Sequence, residues 1–339
     1  MSRLRVLALM HEDVVPPPDA TGETSLQAGW KTEFDVVNAL HDLGHDVQTV
    51  GLGDDLRVLR LQVDSGKPHI VFNLMEHFFG VPIFDQNVVS YLELLRTPYT
   101  GCNPRGLILA RDKGLSKQLL SYHRVPVPEF VVIRRGRKAR RPKRLDFPLI
   151  VKSLTYEAST GIAQASVVDD DARLRERVQY VHERIGGDAI VERYIDGREL
   201  YVGVLGNQRL EMLPVWEMLF DRMGDGNWPI ATDRAKWNSA YQERHGIHTE
   251  RAQLSTEQIA YIYNICRRAY RALGLNGYAR IDLRADAGGK LYVLEANPNP
   301  QLAYGEDFAE SADTAGIEYA ELIQRILNLG LRWRPELRG

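Results

Sequence analysis

Tyr278-Ala-Arg-Ile-Asp-Leu-Arg284 and Lys290-Leu-Tyr-Val-Leu-Glu-Ala-Asn297 lie close together near the C-terminal end of the chain. Both runs are short, apolar and suited to strands, and Ala285-Asp-Ala-Gly-Gly289 between them reads as a turn. Such a hairpin brings Asp282, Glu295 and Asn297 onto neighbouring strands. Hard oxygen donors of this kind suit Mg²⁺ carried on a nucleoside triphosphate. Arg280 precedes Asp282 by two residues and shares its strand face. It either pairs with Asp282 or stabilises charge developing on a tetrahedral intermediate. Asn297-Pro-Asn-Pro300 makes a rigid turn directly after Glu295.

Upstream, Ser255–Leu273 is the clearest helix. Ser255 and Gln258 form a capping box, Ile259, Ile262, Cys266, Ala269 and Leu273 make one stripe, and Gly274 ends it. Ala189–Ile195 and Glu199–Leu205 are strands flanking the turn Asp196-Gly197, and Leu210–Trp216 is a third. The stretch 221–252 has little periodicity and reads as a long functional loop, a lid. Before these lies a small α+β unit. It has a helix over 112–123, strands over 129–133, 149–152 and 162–168, and a helix over 171–185. The first hundred residues alternate strands (Leu4–Met10, Val47–Leu52, Ile70–Leu74) with a helix opened by Thr32-Glu-Phe-Asp35, the pattern of a parallel sheet. The expected class is therefore α/β and α+β in three units: 1–102, 103–186 and 187–339.

With 339 residues, 44% hydrophobic and 26% charged, the chain has the composition of a globular protein of more than one core. A net charge of -2 gives no global field for nucleic acid or anionic membrane. Cys102 and Cys266 alone make neither a disulfide framework nor a zinc site, which fits a reducing cytoplasm. No apolar run is long enough for a membrane span. The basic run Arg134-Arg-Gly-Arg-Lys-Ala-Arg-Arg-Pro-Lys-Arg144 lacks interleaved aromatics and lies between two strands. It reads as a solvated connector, which makes nucleic acid an unexpected partner.

Lys113 stands near a helix start and Lys152 ends the apolar run Leu149-Ile-Val151. Two lysines on separate elements can grip the α- and β-phosphates of a nucleotide. The polar loop Ser159-Thr160-Gly161 follows, without the GxxxxGK[ST] pattern of a P-loop. Glu192-Arg-Tyr-Ile195 with Glu199 reads either as a nucleotide hinge, Glu199 accepting ribose hydroxyls, or as an ordinary hairpin with exposed acids.

Taken in order, these pieces resemble the ATP-grasp superfamily and, within it, the D-alanine:D-alanine ligase family. The resemblance runs from about residue 70 to the C-terminus. It rests on Tyr91-Leu-Glu-Leu-Leu95 with Pro98-Tyr-Thr-Gly101, Arg111-Asp-Lys113 and Pro148-Leu-Ile-Val-Lys152. It continues through Val191-Glu-Arg-Tyr-Ile-Asp-Gly-Arg-Glu199, Arg280-Ile-Asp282 and Leu294-Glu-Ala-Asn297. It implies an ATP-grasp fold with ATP clamped between the second and third units. It assigns Lys113, Lys152, Ser159, Glu192, Arg193, Tyr194, Ile195, Glu199 and Leu294 to the nucleotide. Asp282, Glu295 and Asn297 are assigned to two Mg²⁺ ions, with Mn²⁺ as the alternative, and Glu295 bridges. Lys236 would reach the terminal phosphates from a mobile loop, and Arg280 would stabilise the tetrahedral oxyanion. The implied activity is an ADP-forming ligation of a carboxylate to an amine through an acyl phosphate, on amino acids or small peptides. Phosphotransfer and a non-catalytic ATP-binding role are the alternatives. A homodimer is common in the resembled family.

The substrate pocket departs from the family. Ala158 stands at the phosphate-loop serine and Trp237 at the tyrosine after the mobile lysine. Asn297-Pro-Asn-Pro-Gln-Leu-Ala303 replaces Asn-Thr-Ser-Pro-Gly-Met-Thr, and Met75-Glu-His-Phe-Phe-Gly80 replaces a His-Gly and Gly-Glu-Asp-Gly pattern. The N-terminal substrate acid is Glu12, Glu23 or Glu33. The identity and chirality of donor and acceptor stay open.

Overall fold

The computed structural model describes residues 3–26, 28–156, 161–224 and 226–335. Strands β1 (Arg5–His11), β2 (Asp46–Leu52) and β3 (Ile70–Asn73) form a parallel sheet in the order β2-β1-β3. A single turn, α1 (Gly22–Ser25), and α2 (Lys31–Asp42) connect β1 to β2, and α3 (Leu56–Gly66) connects β2 to β3. β1 and β3 are buried along nearly their whole length because helices cover both faces. The capping box expected at Thr32 does not form. The cap position lies two residues earlier, at Trp30, which makes no side-chain cap, and Thr32 falls inside the first turn.

Three helices lead out of this sheet: α4 (Asp85–Leu94), α5 (Pro104–Arg111) and α6 (Lys113–Tyr122). Asn103 caps α5 and Asp112 caps α6 by accepting from the Gly106 and Leu115 N–H groups. The Asp112 cap fixes Lys113 at the first helical position.

The second sheet is antiparallel in the order β4-β7-β5-β6: β4 (Phe130–Ile133), β5 (Leu149–Ser153), β6 (Val167–Val168) and β7 (Ala189–Arg193). Helix α7 (Asp171–Tyr180), extended by a π turn at Val181–Ile185, packs on it. Two expectations change here. The strand expected over 162–168 shrinks to β6, with a 3-10 turn at Gln164–Ser166 before it. β7 is the inner strand between β4 and β5, not one arm of a hairpin with the next strand. β7 belongs to the second sheet and β8 to the third. The basic run 134–144 is the connector between β4 and β5.

The third sheet has five antiparallel strands in the order β10-β9-β8-β11-β12. They are β8 (Gly197–Leu205), β9 (Glu211–Phe220), β10 (Ile247–Arg251), β11 (Tyr278–Asp286) and β12 (Leu291–Pro298). The stretch 221–252 is more ordered than its sequence suggests. It holds α8 (Asp233–Trp237), α9 (Ser239–His245) and β10. Helix α10 (Thr256–Ala272) has the Ser255 and Gln258 capping box, and Gly274 follows it at φ 62°. The chain ends with α11 (Asp307–Thr314) and α12 (Tyr319–Arg332). Leu322, Ile323, Ile326 and Leu327 of α12 share a core with Val6, Ala8 and Met10 of β1 and with Val36 and Leu40 of α2. The last helix therefore closes one face of the first sheet and ties the chain ends together.

Asn276 and Gly277 join the units at another point. Asn276 Oδ1 accepts from the Asn103 N–H at 2.8 Å, and its Nδ2 donates to the Gly101 carbonyl at 3.2 Å. Gly277 lies at φ 74°, and a Cβ there would stand 2.6 Å from the Gly101 oxygen. Gly277→Ala is expected to lower stability by about 2 kcal/mol or more, through left-handed strain and a backbone clash. Urea unfolding checks this, and a change below about 0.5 kcal/mol contradicts it.

Candidate active site

Antiparallel pairing of β11 and β12 sets Asp282 opposite Glu295 and Arg280 opposite Asn297. The period of two puts all four on one face. A register irregularity between Asp282 and Leu283 follows directly. Asn297 Nδ2 donates to Asp282 Oδ2 at 3.0 Å. Arg280 embraces the same carboxylate, with Nε to Oδ1 at 2.7 Å and Nη2 to Oδ2 at 3.0 Å, and its guanidinium lies over the Tyr201 ring. Arg280 thus makes the pairing with Asp282 while lining a cavity beside it.

Glu295 faces lysines. Lys113 Nζ stands 3.6 Å from Glu295 Oε2 and donates to the Tyr156 carbonyl at 2.7 Å. Burial alone would raise the Glu295 carboxyl, but Lys113, Lys152, Lys236 and Arg280 hold it down to about 2. Asp282 goes the other way: burial lifts it against the pull of Arg280, and the charge of Glu295 adds to the rise. Two carboxyls pushed apart in one place mark a site built to handle charge.

Beneath them lies a buried ion network. Glu192 Oε2 is 3.3 Å from Lys152 Nζ, and Glu192 Oε1 is 3.3 Å from Lys117 Nζ. Lys117 also donates to the Leu294 carbonyl at 2.5 Å. Burial draws the Lys117 ammonium below its usual range. For Lys152, Glu192 and Glu295 more than offset burial and raise it. Lys117 forms one end of this network, with Glu192 at its centre, and the sequence reading passed it over. The signal was its spacing of four from Lys113 on one helix.

A cleft between the second and third sheets is lined by Lys152, Glu192, Ile195, Glu199, Lys236, Asp282 and Glu295, with Arg193, Tyr194 and Leu294. The structure therefore brings together most of the residues singled out in the sequence. Ser159 lies outside the described residues. The Ile195 N–H has no acceptor among the described residues, whereas its carbonyl takes Arg284 Nη1 at 2.7 Å. Glu192 does not present its carboxylate at the hinge, because both lysines claim it. Glu199 is held by Arg284 at 3.0 Å and by Tyr201 Oη at 2.9 Å. The alternative of an ordinary hairpin with exposed acids is excluded, since Glu192 and Glu199 are both buried. Arg284 was also missed, although it shares the period-two face of Arg280 and Asp282.

The donor set fits a hard divalent cation. Two carboxylates and a carboxamide converge, and the bond from Asn297 Nδ2 leaves its Oδ1 free of that contact. Among the described residues no group of three His, Cys, Asp or Glu side chains forms a complete cage. Mg²⁺ keeps water and phosphate oxygens in its shell beside one or two carboxylates. Asp282, Glu295 and Asn297 are the groups that would hold it.

Of the three N-terminal acids, Glu33 is buried and its Oε2 has no hydrogen-bond partner. Burial, with a contribution from Glu76, raises its carboxyl to about 7. Glu12 and Glu23 are exposed.

Lysines over acids in a cleft between two antiparallel sheets define a nucleotide-dependent enzyme of the ATP-grasp class. Residues 119–328 match the family described as D-ala D-ala ligase C-terminus. A D-alanine–D-alanine ligase of Desulforudis audaxviator is 30% identical over 314 residues, covering 91% of this chain and 94% of its own. An uncharacterized protein, y4sG, of Sinorhizobium fredii is 36% identical over 263 residues, covering 78% of this chain and 75% of its own. A crystal structure of D-alanine–D-alanine ligase from Bacillus anthracis complexed with ATP superposes with TM-score 0.74 at 21% identity, covering 97% of this chain and 98% of that one. The chain belongs to the D-alanine–D-alanine ligase family, and it is an ATP- and Mg²⁺-dependent ligase that forms a C–N bond. Among the described residues no helix is long and apolar enough to cross a membrane.

Two outcomes follow from this geometry. Lys117→Met leaves Glu192 with one lysine and is expected to cost about 3 kcal/mol in urea unfolding, part of which returns when Glu192→Gln is added. No loss, or no recovery, contradicts the network. Glu33 has a folded pKa above its unfolded value, so folding favours its protonated form. Its contribution is fully present below about pH 4.5 and is lost as pH rises through about 7. Glu33→Gln should therefore flatten the fall in stability between those values, by about 2–3 kcal/mol at most. Thermal unfolding across pH 4–8 reads the difference, and parallel curves for both proteins contradict it.

Proposed function

We propose that this ligase activates a small carboxylate as an acyl phosphate and joins it to an amine, with amino acids or small peptides as substrates. The observation that carries this reading is the closeness of Lys113 to Glu295, at 3.6 Å, across the cleft that also holds Lys152, Lys236 and Asp282. Lysines on one side and metal-type oxygen donors on the other match the charge pattern of a triphosphate. In this reading the chain divides into an N-terminal unit to about residue 102, a central unit to about 195 and a C-terminal unit beyond.

Lys113 and Lys152 hold the inner phosphates, the Ile195 N–H reads the adenine edge and Glu199 receives the ribose. Ser159 belongs to the same phosphate loop by resemblance. Mg²⁺, as two ions on Asp282, Glu295 and Asn297, supplies neutralisation of the phosphoryl charge. A substrate carboxylate oxygen attacks the γ-phosphorus, the bond to the β-phosphate oxygen breaks, and ADP forms. Lys236, on α8, approaches the terminal phosphate and covers the cleft against water. The amine then attacks the acyl carbon, the C–O bond to phosphate breaks, and phosphate leaves with the amine proton. Arg280 retains Nη1 outside its two bonds to Asp282 and stabilises the oxyanion.

The Desulforudis audaxviator relative carries the name D-alanine–D-alanine ligase, but the residues around the acceptor side differ from the family pattern. The product is therefore left as an amide of two small substrates. Phosphotransfer, the other enzymatic reading, predicts no inorganic phosphate. Incubation with Mg-ATP and amino-acid pairs should yield ADP, phosphate and an amide in equal amounts, and ADP with a phosphorylated product instead would select phosphotransfer. Glu295→Ala should abolish turnover, and turnover at the parental rate rejects the site. Arg280→Ala should lower kcat by about 100- to 1,000-fold, by analogy with loss of one oxyanion donor.

A further inference from the structure

The cleft between the second and third sheets encloses only about 60 Å³. A site that buries most of a small ligand takes roughly 300–1,000 Å³. The cleft is therefore nearly shut. Part of its cover is a strap, residues 226–232, that leads into α8. Ile230 and Ala231 of the strap, with Lys236 beyond it, line the cleft together with Ile162 of the second unit.

The strap is tied to the second unit chiefly through one side chain. Gln164 Nε2 donates to the Trp228 carbonyl at 3.0 Å, and Gln164 Oε1 accepts from the Trp228 N–H at 2.7 Å. A single amide thus pairs with both backbone groups of one residue, as a neighbouring strand would. The Asp233 N–H adds a bond to the Ile162 carbonyl at 3.2 Å. The Trp228 ring stands edge-on to Tyr194, with centroids 5.0 Å apart, and Ile230 shares a small core with Ile150, Val167 and Tyr194. Within the strap, Asn227 bonds back to the Gly224 carbonyl at 3.4 Å and Thr232 caps α8, so these two side chains do not reach across.

The base that carries Gln164 is fixed. Ser166 Oγ accepts from the Ala163 N–H at 3.0 Å and from Arg177 Nη2 at 2.8 Å, and the same nitrogen donates to the Gly161 carbonyl. Ser166 and Arg177 are both buried. Gln164 therefore acts from an anchored turn on a strap that has only packing and one backbone bond besides to hold it to that unit. Neutral hydrogen bonds of this kind are each worth a few-fold in an equilibrium, enough to bias a strap between shut and open without freezing it.

We propose that Gln164 is a positioning residue that latches the strap over the cleft, and that a nucleotide enters only after Trp228 is released from it. The inference rests on the reading of this cleft as the nucleotide site and adds the step that controls entry to it. Gln164 touches no reacting atom in this account. It acts through the strap, and through the strap on Lys236.

The test is stopped-flow binding of the Mg²⁺ complex of N-methylanthraniloyl-ATP to the full chain. In the parent protein the observed rate should level off with nucleotide concentration, at the rate of strap opening. In Gln164→Met the plateau should rise about fivefold or more, and the apparent affinity should tighten, because less of the protein is held in the shut form. Gln164→Glu keeps an acceptor for the Trp228 N–H but sets a carboxylate against the Trp228 carbonyl, and it should act in the same direction. Trypsin cleavage without nucleotide, read by mass spectrometry, should accelerate about fivefold in Gln164→Met at the exposed Arg234 of α8 and stay unchanged at the exposed Arg57 of α3. A plateau unmoved by the substitutions, a parent rate that never levels off, or cleavage that rises equally at both arginines overturns the latch and leaves the nucleotide site standing. Absence of nucleotide binding in parent and variants alike overturns the site reading, and the latch with it.

Discussion

The buried alternation of charge across the seam between the second and third sheets is the constraint on which the site depends. Lys117, Glu192 and Lys152 form a row beneath the cleft, and Glu295 faces Lys113 above it. None of these ions is stable there alone, because taking one from water is expensive and only a close opposite charge repays it. The row fixes where β12 sits relative to α6 and β5, three elements from different parts of the chain. It also leaves the cleft in balance. On the proposed reading, a triphosphate would bring negative charge to lysines now facing carboxylates, and metal ions would bring positive charge to Glu295 and Asp282. The two arrivals would compensate each other, so on that reading nucleotide and metal bind as a unit rather than in succession.

The sequence showed the metal-type face most clearly. Period-two spacing and an evident turn place Arg280, Asp282, Glu295 and Asn297 together without any long-range information, and the register agrees. Lys113 and Lys152 were found by the same local logic: one follows a capping aspartate, and the other ends an apolar run. What failed was pairing over distance. Asp196-Gly197 looks like a hairpin turn, yet β7 prefers the slot between β4 and β5, where Ala189–Val191 are fully covered. Local turn chemistry cannot tell a hairpin from a crossing between sheets.

The ionic partners were illegible for a related reason. Lys117 in a helix and Glu192 in a strand have no sequence relation until three dimensions join them. Arg284 reads as one more strand arginine until its bonds to Glu199 and Ile195 are seen. The stretch 221–252 was misjudged because α8 and α9 are too short and polar to give a periodic signal, and they hold together through Thr232 and Asn238 caps. The helix α12, which closes the first sheet, left no trace in the reading of the first hundred residues, because its partner face lies at the opposite end of the chain.

Family membership and departure coincide in space. The cleft keeps the lysines, acids and amide that the resemblance assigns, while the differences collect around the neighbouring cavity, in Met75–Gly80 and in the loop after Asn297. A crystal structure of the protein with Mg²⁺ and a non-hydrolysable ATP analogue tests the central claim most directly. The account predicts metal ions on Asp282, Glu295 and Asn297, phosphates between them and Lys113 and Lys152, and adenine at Ile195. Phosphates bound elsewhere, with Glu295 still paired to Lys113 and no metal beside it, would contradict the account.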